Sequence, residues 1–288
     1  MGKTLDARAW SIVAVLWTVC ALGLVATAED VPSAAVVTPL DQGFFGLYNL
    51  DFAGAQKDFA TWQQLHPDDP VGPVSQAAGF LFSEFDRLGV LESQFYENDK
   101  AFAGRPKLTP DPALRQRFMA AIGRADTLSR ARLAKDPKDR DALFARTLSS
   151  GLQADYTALI EKRNLASLHF TKEASASAQE LLAACNDCYD ALLATGFSKY
   201  ILGSMAAPVR WILRMGGFPS DKQGGIADLE TTAAHGHYLA PLARILLSIA
   251  YVREKDKPRA LELLTNLRRD FPENTLFSRQ IAHLQSAR

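Results

Sequence analysis

The chain has 288 residues, 48% of them hydrophobic and 22% charged, an ordinary globular composition with enough apolar material for one large domain or a solenoid. Its 32 basic and 32 acidic residues cancel. With no basic field to hold phosphates, the balance argues against nucleic acid as a partner class.

The first thirty residues differ from the rest. Lys3 and Arg8 precede the uncharged run AWSIVAVLWTVCALGLVATA, which closes on Ala26-Thr27-Ala28 and is followed by Glu29-Asp30. A basic start, an apolar run and a small-x-small exit predict a secretory signal peptide over 1–28, cut after Ala28. The run is also long enough to act as a membrane anchor if left uncut. Val19 is bulky before Cys20, which does not suit a lipoprotein site, and the sequence after Gly2 lacks the Ser/Thr of a myristoylation signal. Cleavage would leave 30 basic residues, 31 acidic residues and two cysteines in an oxidising compartment. The expectation is an exported protein of the periplasm or cell envelope, touching the membrane only through residues 9–28 where these stay uncut.

Residues 29–39, including VPSAAVVTP with its two prolines, read as an extended linker. From Leu40 to the end, alternating strand patterns are absent and Ala, Leu, Arg and Glu dominate, so 40–288 reads as an all-α domain. HPDDPVGP (66–73), AGRPKLTPDP (103–112), KDPKD (135–139), GGFPSDKQGG (216–225) and FPEN (271–274) punctuate it into helices of hairpin length.

LDFAGAQKDFATWQQLHPDDP near the start and KDKPRALELLTNLRRDFPEN near the end share one rhythm. Around Ala55 stand Gly43, Phe52, Phe59 and Pro67; around Ala260 stand Ser248, Lys257, Leu264 and Pro272. Small residues let two helices approach, large ones fill the gap, and Pro prevents the second helix from continuing. A weaker match is Ala125 with Pro137, and Ala158 is a possible further anchor. The anchors Ala55, Ala125 and Ala260 lie near two and four units of a roughly 34-residue period, which predicts a tetratricopeptide-like α-solenoid with degenerate middle repeats and some long helices.

Residues 187–203 and the stretch from Trp211 to Asn274 resemble bacterial exported tetratricopeptide proteins of unassigned role and, distantly, the Iml2/TTC39 family. The shared features are a helix opening at Asp190-Ala191 with Gly196 following, the turn Ser220-Asp221-Lys222-Gln223-Gly224-Gly225-Ile226 with Ser in place of the first Gly, and a terminal unit over 242–274. The resemblance brings no catalytic residues and no cofactor. It implies a scaffold or lipid-linked binding role.

Cys185-Asn-Asp-Cys188 reads as a local disulfide at a helix break, with free buried thiols or a redox pair as alternatives. No strand precedes it as a thioredoxin-like site requires, and one CxxC supplies only two of the four ligands of a structural zinc. His235 and His237 do not share a helix face, and Gly236 reads as a helix end. Arg210, Trp211 and Arg214 read as a packed helix end, with a binding surface as the alternative. The turn at 220–225 could hold an anion but lacks the P-loop Lys, and Asp68-Asp69 reads as a helix cap.

In such arrays the first helix of each pair faces a concave groove. The inward positions are then Leu40, Phe44 and Leu47 in the first unit and Leu242, Ile245, Ile249 and Val252 in the last. All are apolar, which disfavours capture of a C-terminal carboxylate and fits either filling by intervening helices or an apolar occupant. The functional expectation is a non-enzymatic protein–protein scaffold or assembly factor, with an unidentified protein partner. The alternatives are a lipid or small apolar ligand carrier and a thiol oxidoreductase using Cys185 and Cys188.

Overall fold

The computed structural model describes residues 37–91, 107–218 and 220–286. The leader expected over 1–28 and most of the linker lie outside these residues. Every regular element within them is helical: α1 (Pro39–Tyr48), α2 (Phe52–Leu65), α3 (Val71–Arg87), α4 (Pro112–Leu133), α5 (Arg140–Asp155), α6 (Asn164–Ala184), α7 (Ala191–Gly203), α8 (Ala207–Met215), α9 (Lys222–His235), α10 (Ala240–Arg253), α11 (Lys257–Asp270) and α12 (Thr275–Ser286). A π turn over Tyr156–Ile160 prolongs α5. No described helix is long and apolar enough to cross a membrane.

Short polar side chains set where the helices begin. Thr38 and Asp41 form a capping box at α1, with Pro39 at the first helical position. Asp51, Asp111, Asp139, Asp221 and Asp256 each accept a backbone N–H at the starts of α2, α4, α5, α9 and α11. Those N–H groups have no partner within their own helix, so each carboxylate removes at least one unsatisfied donor, and Asp111 removes two.

The helices pair as α1/α2, α3/α4, α5/α6, α7/α9 and α10/α11, and the second helix of each pair packs on the first of the next. α12 covers the last pair, and α8 interrupts the fourth. The first helices from α1 to α7 also touch in succession, forming one inner row. The architecture is therefore an all-α stack of helical hairpins.

The first and last hairpins share their turn, their capping aspartate and their buried Ala. Leu50 and Lys255 both turn through the left-handed region, at φ 65° and 63°. One residue later, Asp51 N–H donates to Gly46 O and Asp256 N–H to Tyr251 O, at 2.9 and 2.8 Å. Their second helices end alike, at His66 (φ −130°, ψ 70°) and Phe271 (φ −129°, ψ 72°). Between these points Ala55 and Ala260 are fully buried. At Gly43 a Cβ would run into the Phe59 ring, so the close approach of α1 to α2 requires the glycine.

Ala125 is fully buried too, in α4. The spacing of the anchors nevertheless needs correction. α2 and α4 belong to consecutive pairs, so the gap from Ala55 to Ala125 is one step of the stack rather than two. Ala125 and Ala260 are three steps apart rather than four. Long helices lengthen the step: α4 has 22 residues, α6 has 21, and α8 is inserted whole. Ala158 sits in the π turn and is only half-buried, so it anchors no hairpin.

The two ends of the stack meet. The Tyr48 hydroxyl donates to Tyr238 O at 2.9 Å, Asn274 Nδ2 to Tyr48 O at 2.8 Å, and Glu273 N–H to Asn49 Oδ1 at 3.2 Å. Phe44 stacks on Tyr238 with centroids 4.7 Å apart, and Phe271 lies against Phe45 and Tyr48. One core cluster therefore runs from α1 to α12. A smaller one, around Leu143, Ala178, Leu181, Cys185 and Ala191, joins α5, α6 and α7.

Candidate functional site

Three of the first helices, α5, α7 and α10, each present a face of half-buried apolar side chains. On α5, Phe144, Leu148 and Asp155 recur at spacings of four and seven and share a face. Leu193 and Phe197 do the same on α7, and Leu242, Ile245, Ile249 and Val252 on α10. Most of these pack against the main core with one side.

Tyr238 stands just ahead of α10. Its ring meets Phe44, Phe144 (centroids 6.1 Å) and His237 (4.1 Å). Its backbone N–H and that of Leu239 donate to the two carboxylate oxygens of Asp190, at 3.0 and 3.1 Å. Burial raises the Asp190 carboxyl above its ordinary range against the effect of these hydrogen bonds. Burial, with Asp41 and Asp69 next in effect, also raises the Tyr238 hydroxyl.

Of the expected groove positions, Leu40, Phe44 and Leu47 offer no open surface. All three are buried, with Phe59 edge-on to Phe44 at 5.3 Å and Tyr238 across its other side. The closure of the stack converts them into core. Leu242, Ile245, Ile249 and Val252 keep partial exposure and form the α10 face.

Asp155 is the polar member of the α5 face. It is half-buried at the end of α5, and no described residue pairs with its carboxylate. Burial alone pushes its carboxyl up to about 7. This face therefore gains one negative charge as the pH rises through neutrality.

The remaining motifs resolve locally. Cys185 and Cys188 are joined by a disulfide across the α6–α7 connection. The Asp187 carboxylate lies close to both sulfurs, but bonded sulfurs are not thiolate ligands and this trio cannot hold zinc in that state. His237 Nε2 lies 2.8 Å from Asp41, and His235 lies beside the Tyr189 ring, so the two histidines face different partners. Thr38 and His237 hold the Asp41 carboxyl below its usual range against the opposing effect of burial. Asp221 accepts from Gly224 N–H at 3.0 Å and caps α9. Asp69 accepts from Val71 N–H at 2.9 Å, and also from Trp62 Nε1 at 2.7 Å. A cleft of about 550 Å³ beside α1 is lined by the exposed Val37 and Phe45 together with Asp41, Asp51, Asp58 and Glu273.

Two features escape sequence reasoning. Arg132 bridges Asp139 (2.8 Å), Asp141 (3.2 Å) and Asp69 (3.8 Å), tying the α2–α3 and α4–α5 loops together. Its only signal was the density of acids in HPDDP and DPKDRD. The second is α8, where Trp211 and Ile212 are each 64% exposed, so the expectation of a packed helix end is corrected. No protein-family model, curated protein or solved structure matches the chain.

Proposed function

We propose that the protein is a non-enzymatic interaction scaffold of tetratricopeptide type, exported to the cell envelope, that holds an apolar segment of a partner protein along its inner row of helices. The observation carrying this reading is the repeated turn. Leu50 and Lys255 share one left-handed geometry, and each is followed by a capping aspartate, a fully buried Ala and a Pro beyond the second helix. Recurrence of one helix-turn-helix unit at both ends is what a repeat array requires, since each unit buries its face only against its neighbours. Export rests on the Lys3/Arg8 start, the apolar run and Ala26-Thr27-Ala28.

Crosslinked affinity purification of the tagged chain, expressed with its own leader, tests the reading. A near-stoichiometric envelope protein should copurify, and Ile245→Asp with Ile249→Asp should abolish the capture. Capture that survives both substitutions would remove the α10 face from the proposal. A bait beginning at Glu29 would establish the cleavage.

The aliphatic character of Leu242, Ile245, Ile249 and Val252 favours a second reading, a carrier for a lipid or small apolar ligand. It requires bound lipid in native mass spectra after gentle purification. A clean apo mass would dismiss it.

A further inference from the structure

Helix α8 is built the wrong way round for a packed surface helix. At 100° per residue, Pro208, Trp211, Ile212 and Met215 fall on one face, and Arg210 and Leu213 lie opposite. A surface helix ordinarily turns its apolar stripe to the core. Here the apolar face points outward: Trp211 and Ile212 are 64% exposed, Met215 is 71% exposed, and no residue of the helix is buried. Arg210 and Leu213 are the half-buried ones, with Arg210 Nη1 donating to Gly203 O at 3.3 Å. Arg214 reaches Ser220 Oγ at 3.4 Å.

The surrounding charge identifies the occupant. From Ala191 to Ser220 the chain carries Lys199, Arg210 and Arg214 and no acidic residue; Lys199 is paired with Asp228 at 2.7 Å and Arg210 is half-buried against Gly203, which leaves the exposed Arg214 on the flank of the apolar face. An apolar face bearing Trp, with an exposed Arg on its flank and no acid on the helix, matches the depth profile of an anionic bilayer surface. Trp and Ile reach the acyl boundary while the Arg214 guanidinium meets headgroup phosphates.

We infer that α8 is an interfacial helix that seats the protein on an anionic lipid surface through Trp211, Ile212 and Met215, with Arg214 at headgroup level. The contact is separate from the α5, α7 and α10 faces and from any anchoring by residues 9–28.

The test is hydrogen exchange on the full chain with its own leader. It is mixed with vesicles of phosphatidylcholine alone or of phosphatidylcholine containing phosphatidylglycerol. The amides of 207–216 should slow by about tenfold or more on the anionic vesicles, and much less on the neutral ones or at high salt. Trp211→Asp with Ile212→Asp should abolish this protection. Arg214→Gln should weaken binding to anionic vesicles by about fivefold. Because the exchanged apolar side chains are exposed, the aspartate variant should melt as the wild type does, which separates loss of docking from loss of fold. Equal exchange with and without vesicles would overturn the inference. So would protection without lipid that grows with protein concentration, which would mean a second copy, or that vanishes when residues 1–36 are removed, which would mean the chain covers its own helix.

Discussion

In α1–α2 and in α10–α11 the same turn, the same capping aspartate and the same buried Ala carry two different inner faces. Leu40, Phe44 and Leu47 are core, whereas Leu242, Ile245, Ile249 and Val252 keep part of their surface. The local plan decides that a hairpin forms. Whether its face is open depends on what the rest of the chain lays across it, and here Tyr238 arrives from the far end of the sequence to cover Phe44.

The contrast is sharpest in matched truncations. Phe44→Ala should cost about 3–5 kcal/mol and Ile245→Ala only about 1–2 kcal/mol, because the second site can relax toward solvent. Denaturant titration of both variants checks this, and equal losses would mean that the two faces are equivalent after all. Asn274→Ala removes the bond to the Tyr48 carbonyl and leaves that buried acceptor unpaired, an expected loss of about 1–3 kcal/mol. If the closure matters only locally, the loss will be confined to fraying of α12 in hydrogen exchange.

Away from the closure, the Cys185–Cys188 loop offers a smaller perturbation. Replacing both cysteines by Ser should lower stability by about 2 kcal/mol, since so short a loop restricts the unfolded chain little. Thermal melts with and without reductant on the wild type give the same comparison without mutation. A reductant effect that persists in the double variant would contradict it.

Asp155 allows the mildest test, by pH. Its folded carboxyl titrates near 7, above the ordinary unfolded value, so between about pH 4 and 7 the folded chain holds a proton that the unfolded chain has lost. That contribution to stability is complete below the unfolded pKa and declines as pH rises to 7. Asp155→Asn should flatten this slope and leave the protein about 1–2 kcal/mol more stable at pH 8, the full linkage being reduced for its partial exposure. A slope unchanged by the substitution would place the titration elsewhere.

Helical class, the Ala anchors and the Pro stops were legible because they are short-range. Ala55, Ala125 and Ala260 announce a close helix approach within a dozen residues of a proline. The number of hairpins between them was not, because nothing in the spacing reveals that α4 and α6 are long or that α8 is inserted. The candidate site was legible by half. Periodicity tells which residues share a face of α10 or α8, but not which way that face points. For α8 the answer is outward, and for α1 it was set by Tyr238, a partner nearly two hundred residues away.

The meeting of Tyr48 and Asn49 with Tyr238, Glu273 and Asn274 has a consequence for how the molecule assembles and comes apart. An open array of repeats behaves as a one-dimensional chain: it can nucleate anywhere, fray from either end, and lose a terminal unit while the remainder survives. Joined end to end, this stack has no terminal unit to spare. Deleting α11 and α12 uncovers Tyr48 as well as α10. Shortening should therefore produce loss of the whole fold in one cooperative step, and refolding must wait for the two ends of the chain to find each other.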